Sequence, residues 1–343
     1  MQKQLPVAIK TWLNNRGILD SVLDEYKISF ENERIVIPVH GVHGNVLFNK
    51  YRRAPYIEEG PKYQYDKGAH CELYGRFQIP NPKIIFCLEG EMDVLCAVSH
   101  GIPAVTSTGG AGSFMPSWKE YFEGVDTFIC FDNDDAGIKG AFHAQKIIPY
   151  AKIIWLPKQV GEHGDVTDNF TNLLKTKEDF YLMASLAKSY ELPVDWRAAK
   201  TKAELRTYEV DYSNRANELL PQIRELASKY EGFRHLEILK EMYLSKLAEV
   251  KRAIKTYDIP KNFSGDKLAR AKLVPIPRFI NFNNEGFAKC VFHNEKSPSM
   301  YYYEKQNKVK CFGCDKLADV VDVVMAQQNI TFTEALKIIL NEK

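Results

Sequence analysis

The chain has 343 residues, 45% of them hydrophobic and 26% charged, with a formal net charge of +2. That length accommodates two or three domains, and that composition excludes a disordered or fibrous protein. The near balance of charge excludes a protein that binds nucleic acid by bulk basicity, so any such affinity has to come from local patches.

Residues 1–80 begin with a helical pattern, "AIKTWLNNRGILDSVLDEY", and continue with short strands and turns. "RIVIPVHGVHGNVLFNKYRR" reads as a hairpin, because apolar runs flank a glycine-bearing turn. Residues 81–175 alternate strand and helix, the pattern of a parallel α/β sheet. Residues 176–272 are almost wholly helical, with few Gly or Pro before Pro260. Between Asp195 and Leu273 there are 17 Lys and Arg against 12 Asp and Glu, so this stretch is mildly basic. A helical spacer, a DNA-binding element and a helicase dock all fit it. Residues 273–343 follow the loop "LVPIPRFI" and hold two β-rich runs around a polar turn at Glu304–Asn307, then two short amphipathic helices. No apolar run approaches about eighteen residues and no basic–apolar–small leader opens the chain, so the expectation is a protein with no membrane association.

Cys290, His293, Cys311 and Cys314 read C-x2-H, then seventeen residues, then C-x2-C. Two close pairs joined by a hairpin-sized spacer are the spacing of a tetrahedral zinc site. Three of the seven cysteines fall in this pattern, which fits a reducing cytoplasm better than a disulfide framework. Cys71, Cys87, Cys96 and Cys130 are scattered and read as small buried hydrophobes.

A second signal lies in the α/β stretch. One strand ends in Glu89-Gly90, a second in Asp132-Asn133-Asp134-Asp135, and a third apolar run, "KIIWLPKQV", leads to Asp165 and Asp168. The C-terminal ends of parallel strands share one sheet edge, so Glu89, Asp132, Asp134 and Asp165 converge there. Asp-Asn-Asp-Asp after a strand is also common helix-cap composition. Several carboxylates at one point, however, repel one another unless cations join them, and all-oxygen ligands favour Mg²⁺ or Mn²⁺.

"CVFHNEKSPSM", "CFGC" and "ADVVDVVM…TFTEALKIIL" resemble the zinc ribbon of bacterial and phage DNA primases. "LEGEMDVL", "FDNDDAG" and "GDVTDNF" resemble the Toprim domain of DnaG-type primases, topoisomerases and some nucleases. "RIVIPVHGVHGNVLFNKYRR…GPKYQYDKG…ELYG" resembles the basic subdomain that precedes Toprim in primases. The resemblance implies an α/β protein with a Rossmann-like parallel core, a small α+β basic subdomain before it, helices after it and a C-terminal zinc ribbon. It implies a primase that makes short RNA primers on single-stranded DNA from ribonucleoside triphosphates. In that reading Glu89, Asp132, Asp134 and Asp165 hold Mg²⁺, Arg52 and Lys62 hold phosphates, and the zinc ribbon grips template. Lys289, Lys296, Lys308 and Lys310 would then lie near phosphates, and Tyr301–Tyr303 would be partly available for stacking, with at least one in the core.

The ribbon here follows the catalytic core, whereas in bacterial and many phage primases it precedes it. That order suggests a phage, plasmid or mobile-element lineage. No G-x-x-x-x-G-K-[ST] is present, so a helicase, if needed, is a separate protein. A non-catalytic replication or recombination factor and a Toprim nuclease are the alternative readings.

Overall fold

The computed structural model describes residues 5–229, 232–257 and 265–341, and they form two compact units. The first unit comprises residues 1–199 and 207–249, the second 200–206 and 250–343. These units cut across the four expected segments. Most of the helical stretch belongs with the α/β core, and its end belongs with the zinc segment. Pro260, where the helical pattern is expected to break, lies outside the described residues.

The first unit opens with α1 (Val7–Asn15) and α2 (Asp20–Glu25), which bury Ile9 and Leu13, and Val22 and Leu23. Four strands follow: β1 (Ser29–Glu31), β2 (Arg34–His40), β3 (Val46–Arg53) and β4 (Tyr63–Tyr65). They form one antiparallel sheet in the order β1-β2-β3-β4, and Ile35 pairs with Arg52 across the expected hairpin. Ile35, Ile37 and Val39 alternate into the core.

The second sheet is built from β5 (Leu73–Tyr74), β6 (Ile84–Leu88), β7 (Ala104–Ser107), β8 (Asp126–Cys130) and β9 (Lys152–Ile153). Between them run α3 (Glu91–Ser99), α4 (Lys119–Phe122) and α5 (Asp135–Ile147). The order is β5-β7-β6-β8-β9, with β5 antiparallel and the other pairs parallel. Ile85 to Leu88 are at most 1% exposed, as a parallel strand covered on both faces requires. The chain leaves β6 toward β7 on one side and β8 on the other, so a crevice opens at their C-terminal ends. The edge strand β5 comes from the segment expected to belong to the basic subdomain.

The third expected strand is short. Only Lys152 and Ile153 pair in β9, and Pro157 then starts a loop. Asp165 therefore sits at the N-cap of α6 (Val166–Thr171), not at a strand end, and its capping box with Asp168 fixes that turn. Next come α7 (Lys177–Leu186), α8 (Lys202–Ser228), which carries Pro221 in its interior, and α9 (Arg234–Thr256).

The second unit holds α10 (Gly265–Leu273) and the antiparallel strands β10 (Phe287–Ala288), β11 (Met300–Tyr303), β12 (Lys308–Cys311) and β13 (Leu317–Ala318), then α11 (Val320–Gln328) and α12 (Phe332–Leu340). Asn307 makes the β11–β12 turn in the left-handed region, φ 46°, and its Nδ2 donates to the carbonyls of Lys272 and Val274. Met300, Val309, Cys311, Val320, Val321 and Leu336 form the core. None of Tyr301, Tyr302 and Tyr303 is buried. The strand places Met300 inward, and Tyr302 reaches only half burial by stacking on Phe282. Among the described residues, no helix is long and apolar enough to cross a membrane.

Candidate active site and zinc centre

A cavity of about 320 Å³ lies in the first unit at the C-terminal end of β6 and β8. One wall is basic: Arg16 from the end of α1, Lys50 and Arg52 from β3, and Lys62 just before β4. The other is acidic: Glu89, Glu91, Asp93, Asp132 and Asp165. Arg52 and Lys62 thus face the acids Glu89, Asp132 and Asp165 across one space. Asp134 does not line it. Its Oδ1 caps α5 by accepting from the Gly137 N–H at 2.7 Å, and its Oδ2 meets His163 Nδ1 at 3.0 Å.

The acids perturb one another. Burial pushes the Asp132 carboxyl up to about 9, with Asp93, Glu89, Asp165 and Asp134 adding repulsion. Burial and then Asp165 push Asp93 up to about 7. Glu89 is raised by burial and by the charges of Asp134 and Asp165. Burial works against the Asp134 carboxylate, but the Gly137 N–H and His163 hold it below its usual range. Glu89 Oε2 accepts from the Asp132 N–H at 3.2 Å, which ties the two strand ends together. Gly137 lets α5 start against this turn, since a Cβ there would stand 2.2 Å from the Asp132 carbonyl oxygen.

Three participants are absent from any sequence motif. Lys50 Nζ donates to both Glu91 carboxylate oxygens, at 2.7 and 2.8 Å, and to the Thr108 carbonyl at 2.9 Å. It also lies 4.5 Å from the Tyr63 ring centroid. The side chains of the pair are only 6% and 2% exposed. Burial opposes the Lys50 charge, but Glu91 outweighs it and raises its pKa. Arg16 is the third: its Nη2 meets Asp165 Oδ2 at 3.2 Å. The only sequence signal for Lys50 and Arg16 was their nearness to Arg52 and to a helix end.

In the second unit Cys290, His293, Cys311 and Cys314 bring four ligand atoms within 4.8 Å of one another. Cys290 Sγ is 3.8 Å from Cys314 Sγ, and Cys311 Sγ is 3.8 Å from His293 Nδ1. A tetrahedron with Zn–S bonds of about 2.3 Å has edges of about 3.8 Å, so the thiols and imidazole fit the ion. Glu295 supports them. It accepts from the Cys290 N–H at 2.7 Å and from Ser299, and it meets His293 Nε2 at 3.3 Å. This leaves His293 Nδ1 for the metal. Gly313 is needed in the knuckle because a Cβ would approach His293 Nε2 and Ser299 Oγ to 3.0 Å.

Of the expected template-facing groups, Lys310 is paired with Asp315 at 2.5 Å. Tyr301 packs on Phe287 and Tyr303, and Phe287 in turn on the exposed Phe312.

Residues 86–169 match the Toprim-like family and residues 279–343 the CHC2 zinc finger. The Cys-His-Cys-Cys group fits Zn²⁺, and the Toprim-like domain implies Mg²⁺. The cavity acids suit Mg²⁺, an oxygen-seeking ion that keeps several waters and needs few direct carboxylates. Over 203 residues the chain is 28% identical to the DNA primase of Buchnera aphidicola subsp. Baizongia pistaciae, covering 52% of this chain and 35% of that one. Over 179 residues it is 35% identical to the DNA primase of Legionella pneumophila, covering 46% and 30%. The chain thus spans about a third of the length of these relatives. Among solved structures, a DnaG catalytic core superposes with a TM-score of 0.48 at 20% identity, over 73% of this chain and 94% of that one. With a Toprim-like domain, a CHC2 zinc finger and bacterial DNA primases among its sequence relatives, the chain is a relative of the DnaG-type DNA primases.

Proposed function

We propose that the chain is a DNA primase that joins ribonucleotides into short primers on single-stranded DNA during replication. The observation that carries this reading is the single cavity in which an acidic wall faces a basic one. A nucleoside triphosphate joined to divalent cations has that charge pattern. Glu89, Asp132 and Asp165 would hold Mg²⁺, with Asp134 beside them after its contact to His163 is exchanged. Bound Mg²⁺ supplies charge neutralisation on the phosphates and a lowered pKa for the attacking 3′-hydroxyl.

The chain's own residues do the rest. Arg52 and Lys62 hold phosphate oxygens on the opposite wall. Lys50, bonded to Glu91 and Thr108, fixes β3 against the start of α3 and so sets the width between the walls. Tyr63 closes the basic side. The zinc ribbon grips template through Lys289, Lys296 and Lys308, with Tyr301, Tyr303 and Phe312 as stacking faces. The enzyme works in the cytoplasm beside a separate helicase. The segments 1–80, 81–175, 176–272 and 273–343 serve as basic subdomain, catalytic core, helical accessory and zinc ribbon.

The test is incubation of the full chain with single-stranded DNA, Mg²⁺ and labelled ribonucleotides. Short RNA is the expected product, and it disappears in Asp132→Ala while the fold persists. Cut template would mean a nuclease instead, and no reaction a binding factor. Oligoribonucleotides still made by purified Asp132→Ala would refute the metal assignment.

A further inference from the structure

We propose that Arg16 and Arg52, held side by side at the ring of Trp12, form a phosphate site for the nucleoside triphosphate, and that Arg16 is exchanged onto it from Asp165. This deepens the primase reading and rests on it. The guanidinium carbons lie 5.4 Å (Arg16) and 4.4 Å (Arg52) from the Trp12 ring centroid. Two like charges are thus held together in a half-buried place, which costs free energy unless an anion joins them. Each also has a buried Nε–H with no hydrogen-bond partner. Arginine presents Nε and Nη in one planar fork, the shape that takes two phosphate oxygens at once. Both line the same cavity as Lys62 and the acids. A triphosphate lying between the walls therefore has cations on one flank and carboxylates on the other.

The arrangement at Asp165 supplies the exchange. Its Oδ1 accepts from the Asp168 N–H at 2.7 Å and keeps α6 capped. Its Oδ2 is taken by Arg16 at 3.2 Å. Oδ2 is the oxygen left for a cation in the cavity, and a cation there competes with Arg16 for its charge. Arg16 then turns from carboxylate to phosphate without leaving Trp12. Cation and polyphosphate consequently bind with positive coupling, because each removes the partner that obstructs the other.

The test is calorimetric titration of the zinc-loaded full chain with inorganic tripolyphosphate, without added divalent cation. Asp165→Asn weakens the hold on Arg16, so it binds tripolyphosphate about tenfold more tightly than the wild type, a change worth about 1.4 kcal/mol. In Arg16→Gln/Asp165→Asn that gain is lost, and in Arg16→Lys/Asp165→Asn part of it returns. Removing a negative charge from the cavity would by itself strengthen anion binding equally in both backgrounds. A gain of the same size in the Arg16→Gln background therefore overturns the proposal, as does the absence of tripolyphosphate binding in Asp165→Asn. Thermal melts of each variant report whether it folds, and the Lys variant covers a Gln variant that does not. Primer synthesis enters none of these titrations. A chain that makes no primers can still show the exchange, and a chain that makes them can fail to.

Discussion

Lys50→Met leaves Glu91 as a carboxylate at 1% exposure with both its side-chain contacts, at 2.7 and 2.8 Å, removed. The Thr108 carbonyl is not orphaned, because the Tyr65 hydroxyl still donates to it at 3.0 Å. The cost therefore falls on Glu91. Removing one partner of a buried ion pair costs about 3–5 kcal/mol, far more than the pair itself contributes. For a unit of this size that lowers the melting temperature by roughly 6–20 °C. Lys50→Met/Glu91→Leu removes both charges and should return to within about 1 kcal/mol of the wild type. All four tryptophans, Trp12, Trp118, Trp155 and Trp196, lie in the first unit, so urea unfolding followed by tryptophan fluorescence reports on that unit. A single-variant loss under about 1 kcal/mol, or a double variant no more stable than the single, would refute the claim that Lys50 and Glu91 are a charged, mutually dependent pair.

Cys314→Ser should lower the zinc stoichiometry and abolish the near-ultraviolet signal of the tyrosines around β11, because metal binding and folding of such a unit are coupled. Unchanged zinc content would remove Cys314 from the ligand set. His235 stacks on Trp155 at 4.7 Å beside a cavity of about 420 Å³, and burial pushes its imidazole down to about 4. Its neutral form is the folded one, so its contribution is complete above the usual histidine pKa and declines as pH falls from about 6.5 toward about 4. His235→Phe should flatten that part of the stability profile, read as urea midpoints between those pH values.

The zinc quartet was legible because its ligands sit two to a turn and the spacer closes a hairpin, all within one local stretch. Glu89 and Asp132 were legible because a buried apolar run ending in an acid leaves that acid at the sheet edge. Asp165 was assigned to the right cavity by a mistaken local structure: "KIIWL" has strand composition, but Pro157 ends the pairing and the acid is delivered by a helix cap. Lys50 and Arg16 were not legible. Lys50 meets Glu91 across 41 residues and Arg16 meets Asp165 across 149, and a lone Lys or Arg beside apolar residues has no pattern that announces burial. The tyrosine triplet misled for a related reason. Alternation marks one face as inward, but the register that sets Met300 opposite Cys311 makes methionine the inward residue.

The strand β5 has a practical consequence. Leu73 and Tyr74 pair with Ser107 and Thr106 and are nearly inaccessible to solvent. A fragment cut to the boundary of the repeating α/β pattern, at residue 81, would strip that strand and bare the main chain of β7 together with the apolar floor beneath Tyr74. Unpaired strand edges of this kind recruit other chains. Such a fragment is a candidate for aggregation rather than for assay, whereas one that begins before β1 keeps the sheet closed on that side.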